Sequence, residues 1–241
     1  MAAPSDDWTA RLWDVVRDDL RSSPAAVQDS AREGTVLGER RRRSREYFSS
    51  VAGRWDEVRG ELFGQHLDLH IALALIEPTA VIGDLGCGSG HQAELLAPHV
   101  ARVLAIDASA EMVNTARARL APFPNVSVQQ ADLEQLPFED GALDIALVTL
   151  VLHYTADPRR VIAEARRTIK VGGRIVVIDM LPHQREDLTA SMGHVWPGFS
   201  EGKMWSWLSE AGFGDIRIRP LPADVHAKGP ALLLATAGRL V

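Results

Sequence analysis

The stretch 83-GDLGCGSGHQ-92 carries four glycines in its first eight residues and follows directly on the apolar run 80-AVI-82. A glycine-rich turn straight after a strand is where an α/β protein brings its backbone against a ligand, because residues without a Cβ accept positive φ and close approach. The spacing decides which ligand. A dinucleotide turn reads G-x-G-x-x-G and, starting from Gly86, would need glycine at 91, where the chain has His91. A phosphate-binding P-loop would close on Lys-Ser or Lys-Thr, and neither follows. The turn is instead Gly86, Gly88, Gly90, with Asp84 ahead of it. A carboxylate at that place repels a pyrophosphate but accepts hydrogen bonds, directly or through water, from a cationic amino-acid group.

Outward from the turn, short apolar runs alternate with helical segments: 80-AVIGDLG-86, 102-RVLAID-107, 126-VSVQQAD-132, 143-LDIALVTLVL-152 and 173-GRIVVIDM-180. Strands separated by helices imply parallel βαβ units. Further on, 200-SEGKMWSWLSEAGFG-214 reads as a helix with Ser200 as N-cap and Gly212 or Gly214 as its stop, followed by the strands 215-DIRIRPL-221 and 231-ALLLATAG-238. The expected fold is α/β, a doubly wound Rossmann-like sheet of seven strands, mostly parallel with the last strand antiparallel. Ahead of it, residues 1–44 read as a helical extension and 45–241 as the main domain. Within the extension, Trp8, Leu12, Val15, Val16 and Leu20 fall near helical spacing. That stripe suits a homodimer contact or packing back onto the chain's own domain. From Ala25 to Glu61 the chain is charge-rich and helical in character, with Phe48, Val51, Trp55 and Val58 at roughly helical intervals.

Two more acids stand at strand ends. Asp107 ends the second strand, 23 residues after Asp84, where a carboxylate can take both hydroxyls of a ribose. Asp132 follows the third strand, where it can accept from an exocyclic adenine amine while the Leu133 amide donates to the ring. Each acid alone is equally read as a capping or loop carboxylate. Together with the glycine turn they describe adenine, ribose and an amino acid, which is S-adenosylmethionine.

The stretches VIGDLGCGSG, VLAIDASAEMV, ADLEQLPFEDGALDIALVTLVLHY and RTIKVGGRIVVIDM resemble those of class I S-adenosylmethionine-dependent methyltransferases. More narrowly the chain is similar to the ubiquinone/menaquinone-biosynthesis-like group. It is especially similar to methyltransferase domains carried behind ArsR-type winged-helix regulators, through DMLPHQREDLTASMGHVWPGF and WLSEAGF. The resemblance implies that Gly86, Gly88 and Gly90 let the backbone approach the methionyl part. It puts Ala108 and Met112 against the adenine, Thr149 near the sulfonium, and Tyr47 and Trp55 over the cofactor.

Methyl transfer is an in-line displacement that mostly needs alignment and exclusion of water. Where the acceptor must lose a proton, His153, His183 and His194 are the candidates for catalysis. His153 comes first, since it lies just beyond the fourth strand. Asp179, His183 and His194 do not match a metal signature, so no metal is expected, and the 180–200 loop reads as a lining of the acceptor pocket. A single cysteine, Cys87, excludes an intramolecular disulfide and the several thiolates that arsenite methylation requires.

The chain has 241 residues, 46% of them apolar, and a net charge of −6. That permits a large core and gives no electrostatic case for nucleic acid as a partner. The exception is the run Arg40–Arg43, which has Glu33, Glu39 and Glu46 close by and reads as a solvated helix face. Without a signal pattern or an apolar run of spanning length, the expected setting is the cytoplasm, away from membranes. The expected activity is methyl transfer to a small molecule. The alternative is a cofactor-binding sensor, associated with a transcription regulator, that does not turn over.

Overall fold

The computed structural model of the protein describes residues 23–63, 72–187, 192–222 and 227–240, together with 8, 11, 13, 14, 16 and 69. It divides into two compact units, Met1–Asp68 and Leu69–Val241. Among the described residues no helix is long and apolar enough to cross a membrane.

In the first unit Trp8, Trp13 and Val16 are helical, while Leu12, Val15 and Leu20 of the expected contact stripe lie outside the described residues. Helix α1 (Pro24–Val51) starts where the Ser23 hydroxyl accepts the Ala26 amide at 3.2 Å and Pro24 occupies the first turn. Arg42 pairs with Glu46 at 2.8 Å and Arg43 with Glu39 at 3.1 Å, one turn apart along the same exposed face. After a 3₁₀ turn (Ala52–Arg54), α2 spans Trp55–Phe63. The domain boundary expected after residue 44 falls inside α1, whereas the two units divide between Asp68 and Leu69.

In the second unit the order is β1 (Val81–Leu85), α3 (His91–Leu96), β2 (Arg102–Asp107), α4 (Ala110–Leu120), β3 (Val126–Gln130) and β4 (Leu143–Thr149). There follow α5 (Pro158–Thr168), β5 (Ile169–Met180), α6 (Glu201–Glu210), β6 (Gly214–Pro220) and β7 (Leu232–Gly238). The seven strands form one sheet in the order β3-β2-β1-β4-β5-β7-β6. All run parallel except β7, which is antiparallel to both β5 and β6.

Alternation along the strands feeds two apolar layers, one on each face. Ile82, Val103 and Ala105 pack with Ala93, Leu96, Ala116 and Leu120 of α3 and α4. Leu85, Ile106, Ala146, Val148 and Val177 pack with Val161, Ile162 and Ala165 of α5 and Met204, Trp207 and Leu208 of α6. Helix starts carry the expected chemistry: the Ser109, Asp157 and Ser200 side chains accept amides of the first turns of α4, α5 and α6. Gly212 takes φ 84° just past α6. The chain order reverses between β1 and β4, so the loops leaving their carboxyl ends diverge and open a crevice.

Candidate active site

The turn after β1 forms one wall of that crevice. Gly86 has φ 81°, and a Cβ there would lie 2.6 Å from Val151 Cγ2, so both backbone and neighbour demand glycine. Gly88 has φ 53° and nothing near its missing side chain. The amides of Gly86 and Cys87 both donate to the Ile106 carbonyl at 2.8 Å, tying the turn to β2. Burial, then the charges of Asp84 and Asp107, push the Cys87 thiol up to about 12, which leaves it a protonated filler rather than a nucleophile.

A cavity of about 1070 Å³ occupies the crevice. Of the residues singled out in the sequence for the cofactor, Gly86, Gly88, Asp107, Ala108, Met112, Asp132, Leu133 and Thr149 line it. Asp107 is aligned by two amides: Oδ2 accepts from Gly88 at 2.8 Å and Oδ1 from Ser109 at 2.9 Å. Each oxygen keeps a lone pair for another donor. Asp132 Oδ1 accepts the Glu134 amide at 2.9 Å. Gln130, read in the sequence only as strand, also lines the cavity, and its side-chain amide donates to the Ala108 carbonyl at 2.9 Å. Its place opposite Asp107 in the β2–β3 register was the signal available.

Asp84 and Gly90 do not line the cavity. A Cβ on Gly90 would meet Leu120 at 2.8 Å and Ala116 at 3.2 Å, so this glycine lets α4 pack against the turn. Asp84 is 1% exposed, and its Oδ2 has no hydrogen-bond partner. Burial above all, with the Asp107 charge adding, raises its carboxyl to about 7, against the lowering effect of the Ala93 amide. A buried carboxylate with a bare oxygen is a ready partner for a positive donor. Tyr47 belongs to α1 in the first unit and is about half exposed there. The side chain of Trp55 lies outside the described residues.

The three candidate histidines gather beside the crevice and not in it. A 3₁₀ turn (Leu152–Tyr154) follows β4. His153, buried, sets Nδ1 2.7 Å from Asp179 Oδ1, and Asp179 also accepts the amides of Leu152 at 3.1 Å and Met180 at 2.7 Å. The His153 carbonyl accepts from Val195 and Trp196, which fastens the segment carrying His194. The His194 ring lies 4.6 Å from that of His153, 5.2 Å from Tyr154 and 6.3 Å from His183. Both His194 ring nitrogens and His183 Nε2 are buried without partners. Burial, followed by the neighbouring His153 and His183, lowers the His194 pKa. Among the described residues no group of three His, Cys, Asp or Glu is placed to hold a metal ion. None of the three histidines lines the cavity, but Tyr154 does.

Residues 83–177 match the family described as "Methyltransferase domain". A malonyl-[acyl-carrier protein] O-methyltransferase of Herminiimonas arsenicoxydans is 33% identical over 182 residues, covering 71% of this chain and 66% of that protein. A probable S-adenosylmethionine-dependent methyltransferase of Mycobacterium tuberculosis is 29% identical over 142 residues, 56% of this chain and 49% of that protein. The chain spans about a quarter to two thirds of the length of the first curated relatives it matches. The crystal structure of a putative methyltransferase from Bacillus halodurans shares the fold, with a TM-score of 0.60 at 20% identity, covering 74% of this chain and all of that one.

Proposed function

We propose that the class I methyltransferase domain of this chain transfers the methyl group of its cofactor, S-adenosylmethionine, to a small-molecule acceptor and releases S-adenosylhomocysteine. The observation that carries this reading is the cavity at the β1–β4 reversal. At about 1070 Å³ it lies at the upper end of the ~300–1,000 Å³ of small-molecule pockets, in keeping with a cofactor and a small acceptor.

The donor set suits this cofactor. Asp84, which does not line the cavity, answers the ammonium group through a bridging water, the remaining lone pairs of Asp107 answer the ribose diol, and Asp132 with the Leu133 amide answers the polar edge of adenine. Met112 and Ala108 give its ring an apolar shelf, and Thr149 faces the reacting end. When bound, S-adenosylmethionine supplies an electrophilic methyl carbon on positive sulfur. The chain's own part is to align the acceptor's lone pair with that carbon and to keep water out. The histidine cluster stands behind the acceptor side of the chamber. An oxygen acceptor is in keeping with the relative whose name specifies O-methylation.

The test is incubation with methyl-labelled S-adenosylmethionine and cell extract, desalted or not. Label entering small molecules only when they are present supports the reading. Label on protein or nucleic acid replaces the acceptor class.

A further inference from the structure

Beyond β4 the chain makes a sharp choice between neighbours. Within the 3₁₀ turn His153 points inward to Asp179 and is 3% exposed, while Tyr154 is 40% exposed and lines the cavity beside Thr155 and Ala156. The Tyr154 ring is backed by two imidazoles, His153 at 4.2 Å and His194 at 5.2 Å between centroids. These are in turn held by the buried Asp179 carboxylate and by the backbone bonds from Val195 and Trp196. Trp196 Nε1 donates to the Thr155 carbonyl at 3.0 Å, which fixes the far side of the turn. The phenol is therefore held at its ring, and its hydroxyl makes no hydrogen bond among the described residues.

The geometry points to Tyr154 as the side chain that meets the methyl acceptor, its hydroxyl donating a hydrogen bond to a carbonyl, carboxylate or phenolate oxygen of that molecule. The inference rests on the methyl-transfer reading above and names the group of this chain that selects the acceptor. Burial and the Asp179 charge raise the phenol's pKa, so it is a donor at neutral pH. A donor with a rigidly held ring costs little ordering on binding, because two χ angles fix its position. A phenol facing an apolar molecule would be left unpaired inside the chamber, which penalises acceptors without an oxygen there.

The chain has two tyrosines, so protein made with 3-fluorotyrosine gives two fluorine resonances, and Tyr154→Phe assigns them. The probe is the low-molecular-weight part of a cell extract, divided by chromatography and added to fluorinated protein saturated with S-adenosylhomocysteine. In parallel, wild type and Y154F are assayed for transfer of label from methyl-labelled S-adenosylmethionine into each fraction. The expected result is that fractions taking up label shift the Tyr154 resonance and leave that of Tyr47 in place. Y154F should keep wild-type cofactor affinity within about twofold and lose about tenfold or more in transfer at limiting acceptor. A labelled fraction that leaves the Tyr154 resonance unmoved, or wild-type transfer by Y154F, overturns the assignment. Absence of transfer into every fraction sinks the methyl-transfer reading instead. The resonance then decides alone: a shift sustains Tyr154 as a ligand contact, and no shift overturns it.

Discussion

His153 Nδ1 lies 2.7 Å from Asp179 Oδ1, across 26 residues of sequence and with both side chains buried. Asp179 serves two backbone amides as well, so it is the hub that joins the end of β4 to the end of β5. Removing it strands three donors, whereas removing His153 leaves Asp179 with two partners. Asp179→Ala is therefore expected to cost about 3–5 kcal/mol, and His153→Ala clearly less, measured by urea unfolding. Equal or reversed costs would show that Asp179 is not the hub.

With Asp84 answering the ammonium group, as proposed, cofactor binding depends on pH. Its carboxyl is raised to about 7 in the free protein, and a cationic ligand selects the ionised form. Binding must then release up to one proton, and affinity should climb as pH rises from about 5.5 towards 7, by up to about tenfold per unit, before levelling. Calorimetry in buffers of different ionisation enthalpy reads the proton directly. Asp84→Asn should bind more weakly and without this slope. A wild-type affinity flat across that window would show that Asp84 does not answer the ammonium group.

Two glycines of the turn should separate by cause. Alanine at 86 or 88 meets the same left-handed φ, a cost of about 1–2 kcal/mol. At 86 it also collides with Val151, adding about 1–3 kcal/mol. Gly86→Ala should lower stability more than Gly88→Ala, and Val151→Ala should recover part of the difference. Should the two variants prove equally stable, the Val151 contact is not limiting.

Much of this architecture is legible in the sequence. Short apolar runs bounded by turns mark every strand of the sheet, because each strand needs few residues and buries a regular side of itself. Ser200 and Gly212 bracket α6 for reasons of local backbone chemistry. Asp107 and Asp132 could be placed on the cavity because strand ends in such a sheet converge there. His153 is different: proximity to β4 suggested it for the cavity, but one step along a 3₁₀ turn rotates the side chain by about a third of a turn. Tyr154 takes the cavity and His153 takes Asp179. That pairing depends on a carboxylate far away in sequence, which no local pattern records. Gly90 carries the same signature as Gly88 yet answers to Leu120 and Ala116, a contact between elements. The expected domain start at residue 45 lies within α1, whose periodicity marks no break there, because the helix continues to Val51.

On the proposed reading, the crevice between β1 and β4 holds S-adenosylmethionine, with Asp107 on its ribose. The most direct measurement is the dissociation constant of S-adenosylmethionine for wild type and Asp107→Ala, each shown to be folded by its unfolding transition. Loss of charge-assisted hydrogen bonds predicts weakening by about 1.5–3 kcal/mol, roughly ten- to 150-fold. An unchanged dissociation constant in a folded variant would take Asp107 off the ribose.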